Sequence, residues 1–122
     1  MAAVDFCPLR VSFEYDRQRW RPGETFRCGL WVVNDLAEAF PGARLSWRLE
    51  GPDGQIREKN GQVVDVGPDS VLEAETVLAR PDVGGRWRLL AELLSSDGNL
   101  LTINQLDFVV EDAKSSDSTP PR

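Results

Sequence analysis

Carboxylates are the residues best placed to do chemistry in this sequence, which holds 20 of them among 122 residues and no histidine. A glycosidase sets two carboxyl groups across a sugar-binding cleft, one to give a proton and one to attack or to activate water. Here Asp16, Asp35, Asp53, Asp69 and Asp97 fall among turn residues, and Glu50, Glu73, Glu75 and Glu92 lie on the polar sides of alternating segments. Those are the positions of a solvated surface. Without histidine the commonest general base and neutral metal ligand are missing, and no serine has a nucleophile-elbow context, so triad hydrolysis is excluded. Gly84-Gly85 lacks the helix, lysine and hydroxyl of a phosphate loop. Asp35 and Glu38 lack the dense acidic alternation of a calcium loop. The pattern contains no catalytic constellation and calls for no cofactor and no metal.

Aromatic and guanidinium groups are the remaining candidates. Trp47 and Trp87 sit at inward positions of alternating segments and read as core. Trp20 and Trp31 fall outside that pattern, and an exposed indole stacks on a sugar ring or anchors a protein interface. Covering the Pro22 corner would explain Trp20 equally, and lying beneath the 36–42 loop would explain Trp31. Val33 shares the side of Trp31. Arg44, Arg48, Arg86 and Arg88 are expected on one outer face, with Glu50 and Glu92 beside them. That face suits an acidic sugar or a carboxylate-bearing partner, or else forms a solvated ladder of ion pairs.

The element that positions most of these groups runs from Trp20 to Asp35. Pro22-Gly23 reverses the chain, glycine taking a positive φ without steric cost. Phe26, Cys28, Leu30 and Val32 then alternate with Arg27, Gly29, Trp31 and Val33, the period-two signature of a strand. Similar alternation predicts strands over 9–13, 43–50, 71–78, 86–94 and 100–110, with a polar edge strand over 55–60 parted at Gly61 from a segment over 62–66. Residues 16–21 read as a polar bridge, and Pro41-Gly42 as the end of the loop that begins at Asn34. In the sixth predicted segment Leu72, Ala74, Thr76 and Leu78 share a face; in the last, Leu100 to Val110 in steps of two form the better core face. Seven to eight short strands joined by Gly, Pro and Asp turns predict an all-β sandwich of two antiparallel sheets.

One core accounts for the length: a leader over 1–7, a β-sandwich domain over 8–110, and a Ser, Asp and Pro-rich tail or linker over 111–122. Net charge is −6, which disfavours a nucleic-acid backbone as partner. No apolar run is long enough for a membrane span, and the first residues lack the pattern of a signal peptide. Cys28 reads as a buried thiol and Cys7 as incidental, too far apart in the strand pairing for a bridge. Two unpaired cysteines lean toward the cytoplasm.

Trp20, Pro22, Gly23, Glu24, Phe26, Trp31, Val32, Val33, Asn34 and Asp35, supported by Trp47 and the 104–110 segment, carry a family resemblance. The chain resembles the immunoglobulin-like accessory domains of glycoside hydrolase family 2 enzymes, the β-mannosidase, exo-glucosaminidase and β-galactosidase relatives, over residues 8–110. The resemblance implies an immunoglobulin-like sandwich without catalytic residues that packs beside a parent enzyme's catalytic barrel and contacts glycan at the cleft wall. A Pro-Gly-Glu corner also marks bacterial immunoglobulin-like modules, so a stand-alone protein-interaction module is the alternative, with a carbohydrate-binding module as a third.

Overall fold

The computed structural model describes residues 8–111; the expected leader, Cys7 and the tail from residue 112 lie outside them. The described chain is an immunoglobulin-like sandwich of eight strands and no helix. They are β1 (Leu9–Glu14), β2 (Arg19–Trp20), β3 (Phe26–Asn34), β4 (Phe40–Glu50), β5 (Ile56–Val66), β6 (Ser70–Ala79), β7 (Gly85–Leu94) and β8 (Leu100–Val110). One sheet has the order β1-β3-β6 and the other β2-β8-β7-β4-β5. All pairings are antiparallel except that of β2 with β8.

Alternation puts the core where the two sheets face each other. Phe26, Cys28, Leu30 and Val32 of β3 meet Leu45, Leu49, Leu89, Leu93, Phe108 and Val110 in one apolar cluster. At its centre the rings of Phe26 and Phe108 stack with centroids 4.0 Å apart, and Trp87 stacks on Phe108 at 6.3 Å. Such pairs add to the burial of their large apolar areas. Trp47 and Trp87 lie on neighbouring strands of the larger sheet and are buried, as their spacing predicts. The Pro22-Gly23 corner also forms as expected: Gly23 has φ +86°, and the Glu24 N–H donates to the Arg21 carbonyl at 3.1 Å.

Several details depart from the alternation, each for a local reason. The polar bridge over 16–21 contains β2, because Trp20 is drawn into the core and carries its backbone against Val109 and Val110. Gly61 does not interrupt β5; it sits opposite Ser46, in a ladder that continues through it. Pro41-Gly42 lies inside β4 as an irregularity between the Phe40 and Ala43 pairings, with Gly42 at φ +70°. In β6 the register shifts opposite Leu30 and Trp31, leaving Ala74 unpaired. A bulge exchanges the two faces beyond it, so Val77 is buried and Leu78 is 57% exposed, against the expected face of Leu72, Ala74, Thr76 and Leu78. A second shift, where Leu93 pairs with Thr102 and Leu94 with Leu100, turns Leu101 toward the core and leaves Leu100 exposed.

Side chains of the larger sheet each engage one carbonyl on the two edges of the smaller one. Asn104 Nδ2 of β8 donates to the Val11 carbonyl of β1 at 2.9 Å, and Gln62 Nε2 of β5 donates to the Ala74 carbonyl at the β6 bulge. Free edge carbonyls are templates for pairing with another chain, and an amide side chain blunts them.

Candidate functional site

The outer face of the three-stranded sheet is built around Trp31. Its neighbours across the ladders are Ser12 of β1 and Glu73 of β6, and the next outward pair along the strand is Val33 with Val71. The bulge sets this arrangement, because skipping Ala74 brings Glu73 rather than an alanine beside the indole. Trp31 is half-buried, and its Nε1 donates to Glu14 Oε1 at 2.8 Å. Glu14 stands opposite Gly29, where a Cβ would come 3.2 Å from Glu14 Oε1 and 3.5 Å from Trp31 Nε1. The bare glycine therefore leaves room for the indole to lie back along the strand toward Glu14. Val71, opposite Val33, is 61% exposed, while the exposed Leu78 lies opposite Arg27 at the other end of the ladder.

Beside this surface lies a groove of about 440 Å³, lined in part by Glu14, Asp16, Arg17, Arg27, Gly29 and Glu73. Arg17 is engaged twice, by Glu24 at 3.4 Å and by the Trp20 ring, whose centroid its guanidinium approaches to 4.0 Å.

Trp20 is not a surface aromatic. It is 3% exposed, packs edge-on against Phe26 at 5.4 Å and donates its Nε1 to the Arg17 carbonyl at 3.2 Å. A two-residue strand delivers it to the core, a feature too short to produce any periodicity in the sequence. Trp31 and Val33 do share one face with each other. The four arginines occupy the opposite side of the molecule, on the outer face of the larger sheet, where β4 and β7 are neighbours as expected. Arg48 pairs with Glu50 at 2.8 Å and Arg88 with Asp107 at 3.0 Å, while Arg44 and Arg86 form no ion pair among the described residues. Half of that set is thus tied into exposed ion pairs, each of small energetic value.

Asn34 does more than end a strand. It is a fully buried polar residue. Its Nδ2 donates to the carbonyls of Glu38 and Gly67, both at 2.8 Å, and its Oδ1 accepts from the Leu36 N–H at 3.0 Å. It ties the β3–β4 loop to the β5–β6 turn at one end of the sandwich. The visible signal was an asparagine at a strand end, a residue type that bonds its own backbone two residues on. Cys28, on the inner face of the same strand, has its thiol pushed up to about 12 by burial, which keeps it protonated and unreactive. Among the described residues no group of three or more His, Cys, Asp or Glu could hold a metal ion.

No protein-family model matches the chain, and no curated protein matches it. Solved structures do. The CARDB domain of the PF1109 protein from Pyrococcus furiosus, solved in complex with di-metal ions, superposes with a TM-score of 0.60 at 14% identity, covering 84% of each chain. The sporulation control protein Spo0M from Bacillus subtilis gives a TM-score of 0.52 at 14% identity over 87% of this chain and 50% of its own. The chain thus spans about half the length of Spo0M. At these identities the likeness is one of fold.

Proposed function

We propose that this chain is a noncatalytic, immunoglobulin-like module that binds a protein through the outer face of its three-stranded sheet. The observation that carries this reading is the apolar surface of Trp31, Val33 and Val71 on that face, with Val71 more than half exposed. Isolated exposed apolar side chains are ordinary, whereas a contiguous set around a half-buried tryptophan is characteristic of interfaces. Likeness in fold to a CARDB domain is in keeping with a binding module. A parent enzyme's catalytic domain, the occupant implied by the resemblance of Trp20 to Asp35 to glycoside hydrolase accessory domains, would be one such protein. Neither comparison structure is a glycoside hydrolase module, so the reading commits to a protein occupant and not to that family.

The test is capture of a partner from the source cells by the immobilised chain, followed by comparison of two variants. Val71→Asn alters the smaller sheet's face, and Ile103→Asn alters an exposed residue on the larger sheet. Loss of capture with Val71→Asn and retention with Ile103→Asn is the expected result. Equal behaviour of the two, with both folded by circular dichroism, would remove the face from the argument.

A further inference from the structure

We infer that the open side of the sandwich, between β5 and β6, binds a neutral hydroxyl-bearing ligand of the saccharide class, held by the indole N–H of Trp47. β5 is an edge of the larger sheet and β6 an edge of the smaller one. Gln62 joins them where its amide reaches the Ala74 carbonyl, and among the described residues no other side-chain hydrogen bond links the two strands. Beyond that link lies a groove of about 390 Å³, lined by Glu58, Lys59 and Asn60 of β5, Thr76 and Leu78 of β6, and Trp47 of β4. Trp31 does not line it, so the site is independent of the docking face proposed above. Trp47 is the decisive residue. It is 7% exposed and its Nε1 is buried without a hydrogen-bond partner, whereas the indoles of Trp20, Trp31 and Trp87 all donate to protein oxygens. Among the described residues one other buried side-chain polar atom lacks a partner, and it is an acceptor on the same seam: Oε1 of Glu75, between Ala74 and Thr76.

Buried polar groups in folded proteins are nearly always paired, and this seam buries one donor and one acceptor that are not. A hydroxyl answers both, because it accepts and donates at once. An anion would accept from the indole but meet Glu58 and Glu75, and a cation would meet Lys59 and give the indole nothing to donate to. Glu58 and Lys59 form no ion pair among the described residues, so a carboxylate and an ammonium are both left for a ligand and their charges cancel across the groove. Asn60 spends its Oδ1 on the Gly61 N–H at 2.8 Å, which leaves its amide N–H groups as further donors beside the Thr76 hydroxyl. Sugar hydroxyls match such a mixed set, and Leu78, 57% exposed, offers an apolar wall to the C–H face of a sugar ring. The volume is that of a small-molecule site.

The full chain, labelled with ¹⁵N, is titrated with glucose, mannose, galactose, N-acetylglucosamine and cellobiose up to about 50 mM, a range that reaches millimolar affinities. Glucuronate and glucosamine serve as charged comparison probes, and the indole signals are assigned from Trp47→Phe and Trp31→Phe. Expected are a saturable shift of the Trp47 indole N–H with at least one neutral sugar, a weaker shift with the charged probes, and an unmoved Trp31 indole. Trp47→Phe removes the donor and keeps an aromatic ring, and Thr76→Val removes the hydroxyl from the opposite wall. Each should weaken binding of that sugar about tenfold, the worth of one hydrogen bond. Should Trp47→Phe fail to fold by circular dichroism, Thr76→Val and Glu58→Gln carry the same test. No movement of the Trp47 indole with any probe, or wild-type affinity in the folded variants, would overturn the assignment. So would magnetisation transfer from the Trp47 N–H to a bound water that no sugar displaces.

Discussion

Replacing Asn34 tests the account of how the ends of the sandwich are held. Truncation to alanine removes two donated bonds of 2.8 Å, to the Glu38 and Gly67 carbonyls, and one accepted bond of 3.0 Å from the Leu36 N–H. At about 1 kcal/mol net for each, the loss is about 3 kcal/mol, and for a domain of this size the melting temperature should fall by on the order of 15 °C. Asn34→Asp is the sharper variant. It keeps the acceptor and turns the amide nitrogen into an oxygen aimed at two carbonyl oxygens. Ionisation is disfavoured in that buried setting, so the folded pKa of the new carboxyl lies above its unfolded value of roughly 3.9. Stability is then fully present below the unfolded pKa and is lost as pH rises through the folded one. At pH 7 Asn34→Asp should be less stable than Asn34→Ala, and near pH 4 it should recover. Urea unfolding of the wild type and both variants across that range provides the measurement. Wild-type stability in Asn34→Asp at pH 7, or no pH dependence relative to wild type, would refute the reasoning.

Cys28 should resist iodoacetamide in the folded chain, with alkylation at least about 100-fold slower than in urea when followed by peptide mapping that separates it from Cys7. Because its thiol is pushed up to about 12, the unfolded thiol ionises first, and above pH 9 stability should fall by about 1.4 kcal/mol per pH unit relative to a Cys28→Val variant. Trp47 Nε1 is buried without a hydrogen-bond partner, whereas Trp87 Nε1 donates to the Val83 carbonyl at 3.0 Å. Trp47→Phe should therefore cost at least about 1 kcal/mol less than Trp87→Phe in thermal unfolding. Asn104→Leu should cost about 1 kcal/mol and free the Val11 carbonyl, producing concentration-dependent association in sedimentation experiments where the wild type shows less.

The inner face of β3 was legible in the sequence because burial on one side of a strand writes itself as strict alternation: Phe26, Cys28, Leu30 and Val32 are all fully buried. The same physics located Trp47 and Trp87. Where a single residue breaks the period, alternation gives the wrong face, and the bulge at Ala74 exchanged Val77 with Leu78 without any mark in composition. The place of Trp20 is undecided by the period for a related reason, since two residues are too few to alternate.

Residue types alone determined that this chain has no histidine chemistry, a strongly acidic balance and enough apolar alternation for one β-sandwich. They also placed Trp31 and Val33 together on the side of a strand that carries surface chemistry. Only the tertiary structure decided what surrounds Trp31, because its neighbours come from β1 and β6 through backbone registers that no local pattern encodes. Glu14 precedes it by 17 residues and accepts its N–H; Glu73 reaches it only because a bulge skips one residue. The site is thus a property of pairing between strands, fixed by long-range hydrogen bonding and by burial of the opposite face.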